Sequence, residues 1–289
     1  MKIGRIMGVN VYLNPFFLAL LGLFFVAGIM DKGLIAFGVV LAHEFAHTAM
    51  AKRLGVPVSD VELLPFGGVT RMGADMPLSP DKEILIAAAG PPCNLALFLA
   101  GLAFKNHGLW DDSLGPFFLQ SNMIIAAFNI LPALPLDGGR VYRALLAGKM
   151  GVKNATYRAA GLGQAWAVMI MLAGSLGLVM GKTGLDILIT GLFLFSASPR
   201  ERVSAPFLFM RQMMQKKEEL LKAGVLPAEG LVAREDVSLG EVVRLFLPQR
   251  FHFVAVYSSE MEYLRVLPEN QIIDALFENG FDYRLGDVD

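Results

Sequence analysis

The chain has 289 residues, of which 55% are hydrophobic and only 18% charged, with a mean hydropathy of +0.53. Soluble domains carry about 25% charged residues, so this composition points to a membrane protein, and a net charge of −1 offers no basic field for nucleic acid. The single cysteine, Cys93, excludes a disulfide framework and a cysteine-cluster metal site, so any histidine site must draw on His43, His47, His107 and His252.

Apolar stretches dominate the first two thirds. Val9–Met30 has no charge, and Gly33–Ala51 has only Glu44. Ile84–Phe104, Ser113–Leu136 and Leu162–Gly181 have none, and Ile187–Pro199 is shorter and follows Asp186. A helix crosses a bilayer with about 20 apolar residues. Five stretches reach that length and the last does if it starts near Gly184, which predicts a polytopic all-α bundle of about six transmembrane helices. Leu13-Asn14-Pro15 interrupts the first stretch and no small-residue cleavage site follows, so a cleaved signal peptide is not expected. Basic residues concentrate at Lys2/Arg5, Lys52–Lys82 and Arg140–Arg158, whereas the alternate loops hold Lys32, Lys105 and Lys182. The positive-inside rule then places both termini in the cytoplasm. Residues 1–199 read as the membrane domain, 200–226 as a charged helical linker and 227–289 as a small soluble α+β unit. In that unit Ser238–Phe246 is expected as a helix, Phe251–Tyr257 and Tyr263–Leu267 as strands and Glu269–Asn279 as a closing helix.

The chemistry concentrates in His43-Glu44-Phe45-Ala46-His47. On a helix, positions i and i+4 share a face, so both imidazoles reach one ion. Zinc accepts neutral imidazole nitrogen, a catalytic site keeps one position open, and Glu44 stands beside it as a proton acceptor. An ionisable group at membrane depth costs at least about 2.5 kcal/mol, so this triplet asks for a functional reason. Neither His107 nor His252 is well placed as a third ligand. Asp137 is better placed, at the end of Asn129-Ile-Leu-Pro132-Ala-Leu-Pro135-Leu-Asp137-Gly138-Gly139. Its prolines break a helix and its glycines admit unusual backbone angles. From spacing alone, a third ligand and a solvated interfacial carboxylate stand equal.

HExxH in an apolar helix, followed by NxxPxxPLDGG, resembles the site-2 protease family of intramembrane zinc metalloproteases. The likeness covers roughly residues 10–145, with Leu64-Pro65-Phe66-Gly67-Gly68 and Ala89-Gly90-Pro91-Pro92-Cys93-Asn94 also in its style. The branch without a PDZ insertion includes a sporulation stage IV protease that cleaves a pro-sigma factor. The resemblance implies one zinc held by His43, His47 and Asp137, with Glu44 as general acid/base. It implies a substrate-binding role for Asn129, through the peptide backbone or oxyanion. It also implies a re-entrant hairpin over residues 63–70, where Pro65, Phe66, Gly67 and Gly68 receive an unwound substrate strand. A membrane-associated protein substrate, the lipid bilayer and an inhibitory membrane partner are the expected partners, and the source is expected to be bacterial.

The tail resembles a single CBS motif, in the order Phe253–Tyr257, Leu264–Leu267, Ile272–Leu276. Such motifs pair, so a homo-oligomer through the tail is expected. Some bind ATP, but Pro268-Glu-Asn-Gln271 stands where a hydroxyl-x-x-Asp pattern would read ribose, so dimerising or substrate docking is the stronger expectation. Two rivals stay open: a metal-ion transporter, since intramembrane His, Glu and Asp mark ion pathways, and an inactive relative that binds membrane segments.

Overall fold

The computed structural model describes residues 2–6, 9–64, 67–72, 79–107, 111–182, 184–247 and 250–288. Packing divides the chain into two units: residues up to Tyr142 together with Leu162–Ser198, and Arg143–Gly161 together with Pro199–Asp289. The second unit is therefore discontinuous, and residues 143–161 fall outside the linear membrane, linker and tail division expected from composition.

The first unit opens with strands β1 (Lys2–Ile6) and β2 (Val9–Leu13). They join β3 (Val58–Leu64) and β4 (Gly67–Met72) in a sheet of order β1-β2-β3-β4, with β2 and β3 parallel and the other pairs antiparallel. The all-α expectation is corrected here: the first five residues of the first apolar stretch are strand. Asn14 is the pivot, its Oδ1 accepting from the Phe16 amide at 3.0 Å, with Pro15 opening helix α1 (Pro15–Val26). At 1.5 Å per residue α1 is about 18 Å long, short of a hydrocarbon core of about 30 Å.

Helix α2 (Met30–Arg53) carries the HExxH residues. Phe17 of α1 packs on Phe37 of α2 with ring centroids 4.1 Å apart. Helices α3 (Pro80–Ala87) and α4 (Gly90–Asn106) follow as one long apolar run, then α5 (Gly115–Ile130). The prolines of the next segment end α5, and α6 (Asp137–Val179) starts at the aspartate itself, with non-helical geometry at Gly151. Gly138 and Gly139 are not in the left-handed region. Their role is close approach: a Cβ on Gly138 would stand 2.5 Å from the Leu131 carbonyl oxygen, and one on Gly139 2.5 Å from that of Ala133. Helix α7 (Leu185–Ala223) runs unbroken through the expected sixth span and most of the expected linker. Ser198 Oγ donates to the Leu134 carbonyl at 2.6 Å, and Gly191 lets α7 pack on Met171. Among the described residues, three helical runs are long and apolar enough to cross a membrane: Met30–Arg53, Pro80–Asn106 and Asp137–Val179. That is fewer than the six expected: α1 and α5 have 12 and 16 residues and are too short by this measure, and α7 is not among the three.

The second unit holds β5 (Ala228–Arg234), α8 (Leu239–Val243), β6 (Phe251–Tyr257), β7 (Tyr263–Pro268) and α9 (Glu269–Asn279). Its sheet has the order β5-β6-β7, parallel then antiparallel. Leu239, Phe246, Val254, Ile272 and Leu285 share one core with Ala147, Val152 and Ala155, so the segment 143–161 supplies part of that core.

Candidate metal centre

His43 and His47 are both buried on one face of α2, with ring centroids 4.7 Å apart. Asp137, the first residue of α6, is 7% exposed and turns Oδ2 to within 2.9 Å of His43 Nε2 and 3.1 Å of His47 Nε2. The two Nε2 atoms are 3.1 Å apart. These three residues each bring one ligand atom to a common point, all within 4.8 Å of one another.

The other ring nitrogens settle what that point wants. His47 Nδ1 faces the Ile86 carbonyl at 2.7 Å, and His43 Nδ1 faces Asn94 Oδ1. Both partners are oxygens that accept, so each Nδ1 is the nitrogen that donates, and in the neutral ring Nε2 is the one with the lone pair. Two lone pairs and a carboxylate oxygen then crowd together at a buried point. A cation satisfies all three, and two imidazoles with one carboxylate suit zinc. Arg140 Nη1 stands 3.7 Å from Asp137 Oδ1, which engages the second oxygen and leaves Oδ2 for the shared point.

Room for the imidazoles comes from Gly90: a Cβ there would fall 2.5 Å from His43 Nε2 and 2.6 Å from His47 Cε1. Asn94, one turn further along α4, is fully buried and reaches His43. Sequence reasoning passed over the roles of Gly90, Asn94, Asn122 and Arg140. The available signal was the quoted Gly90–Asn94 segment, whose i, i+4 spacing puts both ends on one face.

Glu44 is half-buried on α2 beside His43. Asn129 is half-buried on α5, its amide nitrogen donating to the Ile125 carbonyl at 3.0 Å. Gly67 and Gly68 open β4, paired with Leu64 and Leu63, while Pro65 and Phe66 lie outside the described residues. Strand β4 is an edge of its sheet. In the second unit His252 is wholly buried and bonded to Glu269 at 2.7 Å, so it serves that core.

A HExxH helix in an apolar run meets a distant aspartate at a buried point, a donor set that could hold a metal ion. Residues 33–109 match the model of Peptidase family M50. A zinc metalloprotease of Methanocaldococcus jannaschii is 28% identical over 213 residues, covering 69% of this chain and 60% of that protein. A Mycobacterium tuberculosis protein named as zinc metalloprotease Rip3 is 34% identical over 212 residues, covering 70% of this chain and 50% of that protein. Stage IV sporulation protein FB of Bacillus subtilis is 28% identical over 148 residues, covering 50% and 51%. The chain thus spans about half the length of most curated relatives it matches. The solved structure of a site-2 protease from Methanocaldococcus jannaschii superposes with a TM-score of 0.56 at 27% identity, covering 70% of this chain and 94% of that one.

Proposed function

We propose that this chain is an intramembrane zinc endopeptidase that hydrolyses a peptide bond in or near a membrane-associated segment of a protein substrate. The observation that carries the reading is the meeting of His43 Nε2, His47 Nε2 and Asp137 Oδ2, with both Nδ1 protons already committed elsewhere. One zinc held there would supply Lewis acidity, polarising a peptide carbonyl and acidifying water. Glu44 accepts the proton from the attacking water and delivers it to the departing amine nitrogen. Arg140 holds Asp137 in its ligating orientation. The edge of β4, from Gly67 and Gly68 onward, pairs with a substrate stretch whose helix has opened, replacing the backbone hydrogen bonds lost on unwinding. Asn129 offers an amide to the substrate backbone or the oxyanion.

The same reading keeps six membrane crossings with both termini in the cytoplasm, supported by the basic-residue bias of alternate loops. It assigns the second unit to pairing with a second copy or to positioning the substrate's cytoplasmic part, with Phe253 exposed on the outer face of β6. ATP is left out of the proposal. Glu269, at the start of α9, is turned into the core on His252, and Gln271 stands exposed where an aspartate would be wanted.

The test is co-expression with single-span membrane proteins, wild type against Glu44→Gln, read by product size. Cleavage by wild type alone supports the reading. Metal flux in vesicles without any cut partner would replace it with a transporter.

A further inference from the structure

Asn94 and Asn122 are both 0% exposed, deep between apolar helices, where an amide is costly unless every strong group is bonded. They form a chain across three helices. Asn122 Nδ2 donates to the Phe118 carbonyl of its own helix α5 at 2.9 Å. Asn94 Nδ2, on α4, donates to Asn122 Oδ1 at 3.1 Å. Asn94 Oδ1 meets His43 Nδ1 on α2.

The direction of this chain follows from its far end. A backbone carbonyl only accepts, so Asn122 must turn its NH2 to Phe118 and its oxygen to Asn94. Asn94 must then turn its NH2 to that oxygen, and its own oxygen to His43. Only a proton on Nδ1 satisfies an oxygen there, and in the neutral ring that makes Nε2, which faces Asp137 Oδ2, the lone-pair nitrogen. His47 obtains the same result in one step, from the Ile86 carbonyl. His43 has an amide as neighbour, and an amide offers either an acceptor or a donor until something fixes its orientation.

We propose that Asn94 and Asn122 are positioning residues for the metal centre: a directional amide relay, anchored on the Phe118 carbonyl, that holds His43 as its Nδ1–H tautomer with Nε2 as ligand. Asn122 acts through Asn94, whose Nδ2 donates to its Oδ1. This inference rests on the metal-centre reading above. The ordinary alternative is that two asparagines simply bond neighbouring helices together, an interaction indifferent to which way the amides point.

The test uses the full chain in detergent micelles, titrated with cobalt(II) alone, with affinity read from visible absorption and chelator competition and folding from helical circular dichroism. Outer partners of ligating histidines are worth about 10–100-fold in metal affinity. Asn94→Leu should weaken cobalt binding by that range, and Asn122→Leu by about tenfold although it lies one residue removed from the ligand. Asn94→Asp keeps an acceptor facing the His43 Nδ1 proton and should bind within a few-fold of wild type. Asn122→Leu binding as tightly as wild type would overturn the relay. So would Asn94→Asp losing as much as Asn94→Leu. If the Leu variants do not fold, Asn94→Asp still decides, since a folded Asn94→Asp with cobalt affinity lowered about 10–100-fold contradicts the relay. Wild type that gives no cobalt spectrum, or His43→Ala that gives an unchanged one, overturns the metal-centre reading itself and the relay with it.

Discussion

His43–Asp137 in the first unit and His252–Glu269 in the second are both buried histidine–carboxylate pairs, at 2.9 and 2.7 Å. Around His252 both ring nitrogens have protein partners. Nδ1–H donates to Glu269 Oε2, and Nε2 accepts the Leu247 amide at 3.1 Å. The ring stacks on Phe246 at 4.6 Å, within 8° of parallel. That pair is closed, and the core is complete with it. Around His43 the outer nitrogen is satisfied, while the inner one meets two other acceptors. A buried histidine is therefore identified as site or scaffold by the partner of its second nitrogen, and proximity to a carboxylate does not distinguish the two.

The difference can be broken most severely at Asp137. Asp137→Ala leaves two imidazoles without the carboxylate, and zinc content measured by atomic absorption should fall to background with cleavage lost. Full zinc occupancy would show that Asp137 is not a ligand. Glu44→Gln comes next. Cleavage should drop by about 10²–10⁴-fold, the usual worth of a positioned general acid–base group, while zinc stays bound. Gly90→Ala sharpens the comparison more gently, because its methyl group enters the space of the imidazoles and overpacking costs about 1–3 kcal/mol. Zinc retention under chelator challenge should weaken while the thermal unfolding of the second unit stays put. The smallest effect on the site is expected from His252→Leu. It orphans the Leu247 amide and uncouples Glu269, costing about 1–3 kcal/mol in the second unit, seen as earlier loss of tail amide protection in hydrogen exchange. Zinc content should not change, and a loss of zinc there would erase the distinction drawn between the two pairs.

Much of this contrast was open to sequence reading, and the unread parts have physical reasons. Two histidines at i and i+4 share a face on any helix, so the pairing of His43 and His47 needs only the motif. Asp137 lies 94 residues from His43, and only the resemblance tied it to them. Asn94 shares a face with Gly90 by its i, i+4 spacing, but Asn122 carries no such signal, since an asparagine in an apolar run reads the same whether it aims at a ligand or at a lipid-facing carbonyl. Strand β2 was hidden because Val9–Leu13 is as free of charge as the helix that follows, and only Asn14 and Pro15 mark the change. The break before Asp137 was legible from Pro132 and Pro135. The reason for Gly138 and Gly139 was not, because it depends on carbonyls that approach them across the turn.

The discontinuity of the second unit has a consequence for how the chain is made. Ala147, Val152 and Ala155 find their apolar cover in residues from Leu239 to Val288, which leave the ribosome much later. At about 5–20 residues per second, the segment 143–161 waits on the order of ten seconds for its partners. During that interval its small apolar face is a sticky surface in a nascent chain that is also inserting helices. Completion of the second unit is thus an event of late synthesis, and a ribosome stalled before β5 leaves a chain whose earlier segment lacks these core partners.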